Sequence, residues 1–114
     1  MTGSNGRPIS SESFEAILRS VDPDVPLDAE DSIENASLEE ARVWRGVYQE
    51  AVSLEERVLN TILERLPSMS AEARQEAETT NVPLIRGQLD RFRHRLLLWE
   101  ARLNRLERGY SQAG

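Results

Sequence analysis

VPLIRGQLDRFRHRLLLWEARLNRL, residues 82–106, decides the fold of this chain. Its apolar side chains fall at Val82, Ile85, Leu89, Phe92, Leu96, Trp99, Leu103 and Leu106, with gaps that alternate three and four throughout. That alternation keeps one stripe of a helix against a partner helix along its whole length. In heptad letters Val82, Leu89, Leu96 and Leu103 take a, while Ile85, Phe92, Trp99 and Leu106 take d.

Working back from this seam, the partner is found upstream. Ser37-Leu-Glu-Glu40 fits a capping box, in which the serine and glutamate side chains each satisfy an exposed backbone N–H. Nothing but Gly46 weakens the helix after it, so a first helix is expected over 37–66, about 45 Å long at 1.5 Å per residue. Pro67-Ser-Met-Ser70 turns the chain, and Ser70 caps a second helix over 70–108 with a break near 80–83, where Asn81-Val-Pro83 interrupts it. Gly109 supplies a stop, leaving 109–114 as a disordered tail. The first helix offers Trp44, Val47, Ala51, Leu54 and Val58 at matching spacing, so the expected fold is all-α, an antiparallel two-helix hairpin of coiled-coil type.

Two helices leave apolar side chains outside their shared seam. These are Val52 and Leu59 on the first helix and Leu84, Leu97 and Leu98 on the second. Large aliphatic side chains each contribute about 1.5–3 kcal/mol when buried, so something is expected to cover them. Dimerisation would complete a bundle, and so would a short N-terminal helix. Residues 1–36 read as a flexible acidic arm with one amphipathic helix near 11–21, whose Phe14, Ile17, Leu18 and Val21 have the spacing of a peptide that lies in a groove. Asp22-Pro-Asp-Val-Pro26 ends that helix and opens an acidic linker.

Charge is graded along the chain. Residues 1–36 carry eight acids against Arg7 and Arg19, residues 37–82 nine acids against five arginines, and residues 83–114 three acids against seven arginines. Every one of the 14 basic residues is arginine. Coding bias explains this, and so would selection for planar, bidentate anion contacts. Arg86, Arg93, Arg95 and Arg102 flank the seam and are expected to pair with acids of the first helix such as Glu50 and Glu55. Arg91, Arg105 and Arg108 point elsewhere, and are the candidates for binding an anion. The net charge of −6 and the lack of aromatic residues among those arginines argue against nucleic acid.

Other chemistry is thin. There is no cysteine, so neither disulfides nor thiolate metal sites exist. His94 is the single histidine, with Asp90 one turn earlier, and two such ligands make no metal site. No nucleophile–base set and no glycine-rich phosphate loop occurs, so no enzyme and no cofactor is expected. No apolar run approaches the roughly 20 residues of a membrane span, and MTGSNGRPISS has no secretory pattern. The expectation is a soluble cytoplasmic protein-interaction module, a small regulator or adaptor. It would bind a protein partner through Phe14, Ile17, Leu18, Val21, Val52, Leu59, Leu84, Leu97 and Leu98, and would form a homodimer. The competing expectation is a regulator that holds a nucleotide or nucleic acid on Arg91, Arg105 and Arg108.

Overall fold

The computed structural model describes residues 11–113, with side chains described over 15–109. The expected disorder of residues 1–10, the side chain of Phe14 and the final Gly114 lie outside those limits. Four α-helices follow in order: α1 (Ser11–Val21), α2 (Leu38–Arg65), α3 (Ala71–Glu76) and α4 (Val82–Ala113). A 3-10 turn at Leu66–Ser68 closes α2, and a π-helical turn at Ala77–Asn81 joins α3 to α4 without a break. Among the described residues there is no strand. The hairpin is all-α, with α2 packed antiparallel along α4 and α1 laid on α4.

Both predicted caps form. Ser37 Oγ accepts the Glu40 N–H at 3.1 Å, and the Glu40 carboxylate accepts the Ser37 N–H at 2.8 Å. Ser70 Oγ accepts the Ala73 N–H at 3.2 Å. At the other end of α2 the Arg74 guanidinium donates to the carbonyls of Leu66 and Met69, both at 3.2 Å. It thereby satisfies acceptors that a helix end leaves open.

Asn81-Val-Pro83 widens the helix instead of breaking it. A proline ring collides with the carbonyl four residues back and offers no N–H to it. The preceding turn absorbs this by taking i→i+5 bonds, with the Val82 N–H reaching the Ala77 carbonyl. Ala77 and Val82, the two ends of that bond, are both buried. Gly109 does not stop α4 either. The helix runs on through Ala113, so 109–113 are helical rather than a disordered tail.

The seam of α4 is internal as predicted, but α2 presents a different face to it. Val47, Leu54 and Val58 are exposed, while Ala41, Tyr48 and Leu59 are buried and Val52, Ile62 and Leu63 pack beside them. The inward set follows 41, 44, 48, 52, 59 and 62–63, about one residue round the helix from the alternating three-four stripe. The reason is Tyr48. A neighbouring tyrosine was no obvious core residue, yet its ring sits 6.0 Å from Phe92 and 6.5 Å from Trp44, which itself stacks on Trp99 at 6.3 Å. Turning this face inward adds the Tyr48 ring to the cluster of Trp44, Phe92 and Trp99, and one aromatic buries some 150–250 Å². Val52 and Leu59 are therefore core residues, not outward contacts.

The core falls into two clusters. One gathers Leu59, Val82 and Leu89 with Val52, Ile62, Leu63 and Ile85. The other gathers Ala36, Ala41, Tyr48, Trp99 and Leu103, flanked by Leu27 and Ile33 from the segment before α2. That segment, residues 22–36, covers the hairpin. The whole is a thin slab of 69 × 32 × 14 Å.

Candidate functional site: a docked arm and an open helix face

The segment between α1 and α2 is irregular, and Pro23 and Pro26 deprive it of two N–H groups. Its carbonyls need donors from outside, and arginines of α4 supply them. Arg91 donates from Nε and Nη2 to the Val25 carbonyl at 3.1 and 2.9 Å. Nη2 also reaches the Pro26 carbonyl at 3.2 Å, and Nη1 reaches Ser20 in the last turn of α1 at 3.2 Å. Arg95 Nη1 donates to Pro23 O at 3.3 Å, and Arg102 Nη2 to Ala36 O at 2.9 Å. Arg91, Arg95 and Arg102 stand four and seven residues apart, one stripe beside the apolar seam. Planar guanidinium forks suit this work, because one side chain can satisfy several acceptors at once.

At the centre of the segment lies Glu30, whose side chain is fully buried. Its Oε2 accepts from Arg95 Nη2 at 2.6 Å, Arg95 Nε at 3.2 Å and Trp99 Nε1 at 2.8 Å. Its Oε1 accepts from the Leu27 N–H at 2.8 Å and from the Tyr48 hydroxyl. Burial alone would push this carboxyl up. The Tyr48, Arg95, Leu27 and Trp99 donors together outweigh it and hold the group below its ordinary value. Burial, with the Glu30 carboxylate close by, pushes Tyr48 up to about 12. Desolvation works against the charge on Arg95, and the contact with Glu30 overcomes that and raises it. The preceding Ala29 has φ 64°, left-handed backbone in the turn that the Glu30 N–H closes onto Leu27 O at 3.1 Å. Alanine there is strained by roughly 1 kcal/mol, and the turn aims Glu30 inward. A second contact, Trp44 Nε1 to Asp31 Oδ2 at 2.8 Å, fixes the next residue.

Chemically this is a clasp. Both oxygens of Glu30 are taken by protein donors, which leaves the carboxylate neither lone pair nor room for a substrate. Arg91 and Arg95 are committed to the arm as well, and Arg102 is held there by Nη2, its buried Nε having no partner. Arg91, expected to face outward and hold an anion, is buried and bonded to the arm, with its guanidinium 5.6 Å from the Phe92 ring centre. Arg95 and Arg102 bond to residues 22–36 instead of to acids of α2. Arg93 does pair with α2, but with Glu56 at 2.8 Å, not with Glu50 or Glu55. Arg105 and Arg108 are exposed, and Arg105 lies near enough to Glu34 to add, behind local hydrogen bonds and Arg102, to the lowering of that carboxyl.

The remaining expected contacts scatter. Val21 packs onto α4 at Gly87, while Ile17 and Leu18, one turn earlier, stay exposed. Leu84 and Leu98 are half-buried, and Leu97 is 64% exposed. Among the described residues the longest run of exposed large apolar side chains is on α2, where Val43 joins Val47, Leu54 and Val58, three residues expected in the seam; they are exposed by 57, 37, 52 and 38%. They form a single stripe over four turns, on the side of α2 turned away from its buried face. Among the described residues no three histidine or acidic side chains gather as a metal site, and no helix is long and apolar enough to cross a membrane. No protein-family model, no curated protein and no solved structure matches the chain.

Proposed function

We propose that this chain is a non-enzymatic protein-interaction module, a small regulator or adaptor acting in the cytoplasm, whose contact surface is the outer face of α2. The observation that carries this reading is the stripe Val43, Val47, Leu54 and Val58, left in water by a hairpin whose other apolar stripes are covered. A run of exposed aliphatic side chains bordered by charge is what a protein-binding helix offers its partner. Leu97 and the outer residues of α1, Ile17 and Leu18, are smaller surfaces of the same kind. A chain without cysteine needs no oxidising compartment, in keeping with the cytoplasm. The anion-binding alternative has lost its central arginine, Arg91, to the arm, and no observation favours it.

The test is affinity capture from the native cell lysate with the wild-type chain and with Leu54→Glu/Val58→Glu as baits. Both positions are exposed, so the variant folds, which its helical circular dichroism would verify. A protein that co-purifies with the wild type and not with the variant is the expected result. Equal capture by both baits contradicts the reading. So does capture that only an Arg105→Ala/Arg108→Ala variant loses.

A further inference from the structure

The outer face of α2 is self-complementary, and we propose that its occupant is a second copy of this chain, paired α2 to α2 in antiparallel orientation. This rests on the interaction reading above and names the partner for that surface. Val47, Ala51, Leu54 and Val58 are spaced four, three and four apart, the repeat of a two-stranded coiled coil, here on the face that the hairpin does not use. Glu50 and Arg57 border the stripe on one side. Both are exposed, and neither belongs to an ion pair among the described residues.

Charge fixes the register. Antiparallel pairing with Val47 on the partner's Val58 places Ala51 on the partner's Leu54, and symmetry repeats both layers. Small on large in the central layers lets the helices approach closely. In that register Glu50 stands beside the partner's Arg57 and Arg57 beside the partner's Glu50, two opposite-charge pairs at the flanks. Sliding one heptad in one direction sets Glu50 against the partner's Glu50. Sliding in the other sets Arg57 against the partner's Arg57. Parallel, in-register pairing puts Glu50 against the partner's Glu55 and leaves Arg57 with no acid. Like charges side by side are destabilising, so one arrangement of the four is free of repulsion. It has the two-fold symmetry of an isologous dimer.

Sedimentation equilibrium of the full chain tests this, with a charge-swap cycle. The wild type should dimerise. Glu50→Arg and Arg57→Glu should each raise the dissociation constant about tenfold, by turning attractive pairs into repulsive ones, and Glu50→Arg/Arg57→Glu together should restore it. Because the chain has no native thiol, Val47→Cys and Val58→Cys chains can report the register: mixed together under oxidation they should cross-link to each other, and neither should cross-link to itself. A chain that stays monomeric up to millimolar concentration overturns the proposal. If lysate capture still depends on Leu54 in that case, the interaction reading stands with a different partner. A dimer unaffected by either charge reversal, or self-cross-linking of Val47→Cys alone, also overturns it.

Discussion

Glu30 is the residue on which the arm turns. A fully buried carboxylate is tolerated only where charge and hydrogen bonds replace its lost water, and here five donor contacts do so. Removing the charge while leaving Arg95 in place would strand a guanidinium that is itself only 7% exposed. Glu30→Gln should therefore lower stability at pH 7 by roughly 3–5 kcal/mol, the usual range for breaking one side of a buried pair. The same group ties stability to acid. Its folded-state pKa lies below the ordinary value, so its contribution is complete above the usual carboxylate range near 4.3 and is lost as pH falls through the lowered folded value. Glu34 and Glu40 are exposed and shift in the same direction. Urea midpoints measured between pH 7 and pH 3 should fall steeply for the wild type and more shallowly for Glu30→Gln. Parallel curves would mean that Glu30 is not the titrating clasp.

Among the elements, the two long helices and their caps are plain in the sequence, because the Ser37 capping box, the Ser70 cap and the three-four seam of α4 are local signals. What could not be read locally is what covers the hairpin. Arg91 looks like a solvated arginine when only its own helix is considered, since its partners, the carbonyls of Ser20, Val25 and Pro26, carry no side-chain signature. One signal was available. Arg91, Arg95 and Arg102 form a stripe beside the apolar seam, and a segment with two prolines has carbonyls in need of donors. The inward face of α2 is hidden from the sequence for a similar reason: regular spacing favours Val47 and Leu54, whereas the bulk of Tyr48 and the bond of its hydroxyl to Glu30 set which face turns inward. α1 is held by a close approach. A Cβ on Gly87 would lie 2.7 Å from Val21 Cγ1 and 3.1 Å from Val21 Cβ, so Gly87→Ala should lift α1 from α4. Limited proteolysis should cut within 11–21 faster in that variant, while thermal unfolding of the hairpin changes little, because alanine strengthens α4 by up to about 1 kcal/mol. Unchanged cleavage would show that Val21 does not seat there.

At the scale of the molecule, the arm and the hairpin form one folded unit, and that changes which surface is open. With residues 22–36 spread over the aromatic cluster, the surface near Tyr48 and Trp99 is closed and the far side of α2 is bare. The acidic front and basic back of the chain meet inside the fold, chiefly through Glu30 and Arg95, where the attraction suggested by the charge gradient becomes a specific contact. Stability is correspondingly shared: the hairpin lacks cover for Ala41, Tyr48 and Leu103 unless Leu27, Ile33 and Ala36 are in place. Native-state hydrogen exchange of the full chain at neutral pH tests this most directly. The Leu27 and Glu30 amides, bonded to the Glu30 carboxylate and the Leu27 carbonyl, should be protected to the same degree as the central amides of α4. Exchange at those two amides at the rate of an unstructured peptide, beside a protected α4, would contradict the account.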